Sequence, residues 1–202
     1  MTNQLSEPKY LKRFSKKNKL VSWIVSDCKT PSKRENLVKS LQKFIPVDIF
    51  GKCGNLTCFT KSISKSVECL NDYKFYLSFE HTLCPDYVTE KLYKLLFSLI
   101  IPVVYNGADM KRFMPPHSFI DANDFETVED LANYLKFVAE SPEEFLSYFW
   151  WRRDYKMFKW YSNDFNKVCA RVEQRIKTKK KNTYEDIKGW FNENCTEPRI
   201  KF

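Results

Sequence analysis

At 202 residues and 24.2 kDa the chain has room for one domain, or for one with a small appendage. Its 43% hydrophobic and 29% charged residues exclude a disordered or fibrous chain, and with 4 Gly it carries neither a G-x-x-x-x-G-K-[ST] nor a G-x-G-x-x-G loop. Two histidines, His81 and His117, argue against a histidine-built metal centre, while a net charge of +9 calls for an anionic partner or a solvated basic surface.

Taken in chain order, residues 1–19 read as a basic N-terminal tail, with the run Lys9–Lys19 solvated and no apolar segment of the signal-peptide kind. Leu20–Val25 is the first of five strand-like runs; the others are Val47–Phe50, Lys74–Phe79, Ile101–Tyr105 and Ser118–Asp121. Between the first two, Leu37, Val38, Leu41 and Phe44 keep helical spacing, which predicts a helix over Ser32–Phe44 capped by Thr30 with Pro31 at its start. Tyr87–Leu99 carries a second helical pattern with Asp86 as its cap. Thr127 is placed to cap a third helix over Val128–Glu140, and Ser141-Pro142-Glu143-Glu144 opens a fourth. From about residue 141 onward the chain reads as helical, and the basic run Lys177–Lys181 opens a C-terminal helical tail over 177–202. Strands alternating with helices predict right-handed β-α-β units, and hence an α/β domain over 20–176 built on a doubly wound, Rossmann-like parallel sheet. The longest apolar stretch, Leu95–Tyr105, is interrupted by Ser98 and Pro102 and has about half the length of a spanning helix, so it belongs to the core.

Seven cysteines (Cys28, Cys53, Cys58, Cys69, Cys84, Cys169 and Cys195) are many for this length. They are either buried thiols or a disulfide framework in an oxidising compartment, and the odd count leaves one without a partner in the chain. Two N-glycosylation sequons, at Asn55 and Asn194, favour the framework. No C-x-x-C pair is present to suggest a zinc ribbon. Segment 51–72 holds three of the cysteines with little periodicity, and reads as a loop or short helix tied down by a disulfide.

In an open parallel sheet, ligands bind beyond the carboxyl ends of strands, at helix starts. Two segments meet that description. Ser26–Arg34 follows the first strand and brings a guanidinium, suited to phosphate, to the first turn of a helix. Glu80–Lys91 follows the third and offers Lys91 as a point charge, Glu90 as an acceptor for sugar hydroxyls and Tyr87 as a cover for a ring. A lysine in a first turn is not favoured by the helix dipole, and a bound anion would explain it. From pattern alone the Glu90–Lys91 pair is most often a solvated one, and a lone His81 most often structural. The residues themselves therefore reach an α/β domain suited to a phosphate-bearing ligand, and stop short of a reaction.

Tyr73-Lys74-Phe75-Tyr76-Leu77-Ser78-Phe79-Glu80, followed by Cys84-Pro85-Asp86-Tyr87-Val88-Thr89-Glu90-Lys91-Leu92, closely resembles the α1,3-fucosyltransferase signature. Val25-Ser26-Asp27 stands where that family has V-S-N, and Val47-Asp48-Ile49-Phe50-Gly51-Lys52-Cys53-Gly54-Asn55 resembles a segment of its core-type members. Further agreement at Pro115-Pro116-His117-Ser118-Phe119-Ile120 and Tyr148-Phe149-Trp150-Trp151 extends the resemblance over about residues 20 to 196.

The resemblance implies the GT-B architecture of two facing Rossmann-like domains, of which this chain would be the C-terminal, donor-binding one. The implied reaction moves L-fucose from GDP-fucose, with inversion, to a hydroxyl of N-acetylglucosamine on a glycan. Carried over by position, Arg34 and Lys91 would hold the diphosphate, Glu90 the hydroxyls of ribose or fucose, and Tyr87 and His81 would line the donor site. The base would lie in the N-terminal, acceptor-binding domain, so no catalytic residue is assigned here. No metal and no obligatory cofactor is expected. The cysteine pattern is similar to that of core-type enzymes acting on N-linked glycoprotein glycans, which implies the lumenal face of the Golgi, with any membrane attachment through a segment outside this chain. Three departures stand out: His81 for the Asn of F-E-N, Asp27 for the Asn of V-S-N, and Asn166-x-x-Cys169 for a C-x-x-C. The competing expectations are a catalytically incomplete GDP-sugar-binding module and a basic nucleic-acid binder; the second is disfavoured because the basic residues are scattered and no RNA-binding aromatic motif is present.

Overall fold

Five short apolar segments line up side by side in the computed structural model, which describes residues 8–58, 69–157, 164–178, 183–197 and 200–201. They are β1 (Lys19–Ile24), β2 (Val47–Phe50), β3 (Tyr73–Phe79), β4 (Ile101–Tyr105) and β5 (Ile120–Asp121). All pair in parallel, in the order β2-β1-β3-β4-β5. The expected α/β fold is therefore present, with strand positions within two residues of those read from the apolar runs.

The period of two along a strand sends alternate side chains to opposite faces. Phe75, Leu77 and Phe79 of β3 join Val21 and Trp23 of β1 and Val103 and Tyr105 of β4 in the main core. That face is covered by α2 (Arg34–Leu41), α4 (Val128–Glu140) and α5 (Pro142–Ser147), which contribute Leu37, Leu41, Leu131, Leu135, Val138 and Phe145. A second cluster packs Tyr76, which points to the opposite face of β3, and Tyr73 with Phe50, Leu70, Leu95 and Ile100. A parallel sheet covered on both sides needs such continuous apolar strands. Two glycines fit the chain where strands end. Gly51 follows β2 at φ 93°, and a Cβ on Gly107, just past β4, would lie 2.3 Å from the Leu83 carbonyl oxygen.

The helix boundaries depart from expectation in two places. α2 begins at Arg34 rather than Ser32, and Thr30 does not cap it. Ser32 N–H donates to the His81 carbonyl (3.1 Å) and Ser32 Oγ to the Glu80 carbonyl (2.8 Å), so this stretch is pinned to the tip of β3. Thr30 instead donates its backbone N–H and hydroxyl to the Glu35 carboxylate. The second helix, expected over Tyr87–Leu99 with Asp86 as cap, shrinks to α3 (Glu90–Tyr93) with Thr89 before it. Asp86 sits at φ 58°, outside any helix. Beyond Lys94 the chain winds by i to i−3 bonds, while Ser98 Oγ takes the Leu95 carbonyl and Arg152 takes those of Leu96 and Ser98. By contrast, α4 and α5 start where expected, with Thr127 Oγ1 accepting from Asp130 N–H and Ser141 Oγ from Glu144 N–H, both at 3.1 Å.

The basic N-terminal run is helical, and its basic side chains apart from Lys17 are exposed as expected. It forms α1 (Pro8–Ser15), whose Phe14 packs on Phe145 at 5.1 Å between ring centroids. Lys17 is buried, donating from Nζ to the carbonyls of Asn71 (2.7 Å) and Tyr73 (2.8 Å). Disulfides join Cys28–Cys53, Cys58–Cys69 and Cys84–Cys195, and Cys169 is a free, exposed thiol. Of the segment expected to be tied down by a disulfide, residues 59–68 lie outside the described residues. Residues 1–155 with 194–202 make one compact unit and 156–193 a second. The second holds α6 (Asp164–Thr178) and α7 (Ile187–Asn192), the latter capped by Asp186, whose carboxylate accepts from Gly189 N–H. Lys177 is exposed, and residues 179–181 of its basic run lie outside the described residues.

Cys84–Cys195 spans 111 residues, a long loop to constrain in the unfolded chain. Replacing both cysteines by serine should cost about 2–5 kcal/mol, read from urea unfolding; an unchanged midpoint would show that the crosslink does not constrain the unfolded chain. Burial, reinforced by nearby Arg13, lowers the Lys17 ammonium from 10.5 to about 7. Between those values the unfolded chain binds the extra proton, so the penalty is full below pH 7 and fades as pH rises through the window. Relative to Lys17→Met, the wild-type protein should gain up to about 1.4 kcal/mol per pH unit above neutrality; parallel urea profiles would contradict this.

Candidate functional site

The strand order turns back between β1 and β3: β2 lies on one side of that pair, β4 and β5 on the other. In open parallel sheets a crevice forms beyond the strand ends at such a reversal. The loops leaving β1 and β3 both end there, and both carry charge.

At the tip of β3 sits Glu80, only 1% exposed. A carboxylate this deep needs both hydrogen bonds and a countercharge. Thr89 donates its backbone N–H (2.9 Å) and its hydroxyl (2.8 Å) to Oε1, and Lys91 Nζ lies 2.8 Å from Oε2. Lys91 also donates to the Thr89 hydroxyl at 2.7 Å. The start of α3 is thus hung on Glu80, which aims Lys91 back at the crevice instead of into solvent.

Arg34 reaches the same place from α2. It is 4% exposed, with Nη1 donating to the Phe79 carbonyl (2.7 Å) and Nη2 to the Asp27 carbonyl (3.4 Å). Its guanidinium lies over the Trp23 ring. Burial pushes it below the ordinary arginine value, opposed by the charges of Glu80, Asp27, Glu35 and Tyr87. Its Nε is buried and makes no hydrogen bond. An orphaned buried donor of this kind carries a desolvation cost. Arg34 and Lys91 are thus faced by carboxylates, Lys91 by Glu80 and Arg34 by Glu80, Asp27 and Glu35.

Arg34 and Lys91 are thus both neighbours of Glu80, Lys91 bonded to it and Arg34 feeling its charge. Tyr87 is half-buried and close enough for Arg34 to feel its charge. His81 stands at the rim, its Nε2 3.0 Å from Asp27 Oδ2. Glu90 is exposed, and its charge is felt by Lys94 and Tyr76 on its own side of the sheet. Asn55 and Asn194, the two sequon asparagines, are exposed. Three residues given no role by sequence pattern prove to organise the site: Glu80, Thr89 and Asp27. The signal for Glu80 was a charged residue closing an otherwise apolar strand. A separate cavity of about 310 Å³ runs along β5 and α4, lined by His117, Asp121, Tyr134 and Tyr148 among others, and none of the crevice residues takes part in it. No group of three or more His, Cys, Asp or Glu suited to a metal occurs among the described residues.

The chain has relatives among known proteins. Alpha-(1,3)-fucosyltransferase C of Drosophila melanogaster is 48% identical over 183 residues, which are 90% of this chain and 42% of that protein. Glycoprotein 3-alpha-L-fucosyltransferase A of the same species is 35% identical over 179 residues, 87% of this chain and 35% of that one. The chain thus spans less than half the length of these relatives. A crystal structure of an α1,3-fucosyltransferase with GDP-fucose superposes with a TM-score of 0.64 over 84% of this chain and 50% of that one, at 23% identity, a likeness of fold. Residues 14–190 match the family described as glycosyltransferase family 10 (fucosyltransferase) C-term, and the chain belongs to that family.

Proposed function

We propose that the chain is the GDP-fucose-binding half of an α1,3-fucosyltransferase that acts on N-acetylglucosamine of N-linked glycoprotein glycans, with residues 20–176 as the donor-binding domain. The observation that carries this reading is the convergence of buried Arg34 and Glu80-held Lys91 at the strand-order reversal. When the bond between fucose and diphosphate breaks, the leaving group gains negative charge. Cations already fixed beside it stabilise that charge without having to reorganise. Arg34 offers donors in a planar fork, and Lys91 adds a point charge. In this reading Tyr87 and His81 would line the opening, and Glu90, exposed at the start of α3, would meet hydroxyls of the donor. The resemblance puts the general base on the acceptor-binding half of such an enzyme, and no residue of this chain is assigned to it. Three disulfides and two exposed sequon asparagines support an oxidising, lumenal setting, which we take to be the Golgi. No helix among the described residues is long and apolar enough to cross a membrane.

Arg34→Ala and Lys91→Ala should each weaken GDP-fucose binding by about 10- to 100-fold, the worth of a charge-assisted hydrogen bond. Calorimetric titration giving wild-type affinity for both variants would remove the site.

A further inference from the structure

Asp27 is in contact with two site residues at once. Its carbonyl accepts from Arg34 Nη2 at 3.4 Å, and its carboxylate faces His81 Nε2 at 3.0 Å. It follows β1, as His81 follows β3, so the pair bridges the two strands between which the sheet order reverses. The neighbouring Cys28 is crosslinked to Cys53, which anchors this loop to the one that follows β2. His81 is held from its backbone as well, its carbonyl accepting from Ser32 N–H at 3.1 Å. Both side chains remain open to solvent, at 39% for His81 and 55% for Asp27. Asp27 and His81 are also the two positions where this chain departs from the asparagines of the signature it resembles, and here the two departures touch.

We propose that Asp27 is a positioning residue that turns His81 into a third, protonation-dependent cation for the diphosphate of the sugar donor. The inference rests on the donor-site reading above. A carboxylate opposite Nε2 keeps the proton on that nitrogen. In the neutral ring Nδ1 is then an acceptor, unsuited to phosphate oxygen; in the imidazolium it is a second N–H donor. His81 Nδ1 has no hydrogen-bond partner among the described residues. The group that faces the ring directly is Asp27 on the β1–α2 loop; the charged and titratable groups on the elements that meet there are Arg34 and Glu35 on α2, Glu80 at the tip of β3, Tyr87 before α3 and Lys91 within it. Imidazole ordinarily changes charge between pH 5 and 8. A pH-dependent gain in anion affinity there that disappears in variants of His81 is accordingly assigned to it.

The probe is GDP-fucose, whose diphosphate is esterified at both ends and so lacks the second phosphate ionisation of free GDP. Its affinity for the wild-type chain should fall about 3- to 10-fold between pH 6 and pH 8, the worth of one partly exposed charge-assisted contact. In His81→Asn and His81→Gln the affinity should be flat across that range and weaker than that of the wild type at pH 6. Asp27→Asn should bind more weakly at pH 6 and lose most of the pH dependence, and Asp27→Glu should restore it. Matching melting temperatures identify the folded variants, and two substitutions at each position keep a readout if one misfolds. Binding that is lost in Arg34→Ala yet has the same pH profile in wild type and both His81 variants overturns the His81 assignment alone. Absence of GDP-fucose binding at every pH overturns the donor site together with it.

Discussion

A carboxylate that cannot reach water governs the carboxyl edge of this sheet. Glu80 closes β3 at 1% exposure, and a charge so placed is tolerated only with its lone pairs filled and its charge balanced. Thr89 supplies the hydrogen bonds and Lys91 the charge, so the short helix α3 is fixed to the strand tip rather than free to extend. The Glu80 carbonyl also accepts from Ser32, which holds the entry to α2 and so places Arg34. The acid thereby fixes Lys91, and the backbone carbonyl of the same residue helps to place the start of α2 that carries Arg34.

This arrangement substitutes for devices the chain lacks. Nucleotide-binding sheets commonly present phosphate with glycine-rich loops, and here 4 glycines in the whole chain leave no such loop. In the proposed donor site side-chain cations would take over, and each is held by acceptors whose positions the sheet sets: the Phe79 and Asp27 carbonyls for Arg34, the Glu80 carboxylate for Lys91. Preorganisation of this kind is what stabilises charge that develops late in a reaction.

How much could be read beforehand follows from where the information lies. Strands were legible because a parallel sheet buried on both faces needs unbroken apolar runs, and Phe75–Phe79 or Ile101–Tyr105 have no other use. α4 and α5 were legible because Thr127 and Ser141 cap them locally. The start of α2 was not, because Ser32 answers to β3 rather than to its own helix. Lys17 looked like part of a solvated run because its carbonyl partners at Asn71 and Tyr73 are more than 50 residues away. In the site, the two cations could be named from their places after strands, whereas Glu80, Thr89 and Asp27 gain their roles only from packing. His81 and Asp27 each looked like an isolated departure from a signature, and their mutual contact exists only once β1 and β3 lie side by side.

The bridge between Cys84 and Cys195 has a covalent consequence for everything between the two compact units. The chain leaves the first unit at residue 156 and re-enters it at 194, and the crosslink joins points on either side of that excursion. A protease that nicked the backbone anywhere within 156–193 would release no fragment. The two halves would travel as one molecule until a reductant parted them, so integrity judged without thiol would overstate how much of the backbone is intact.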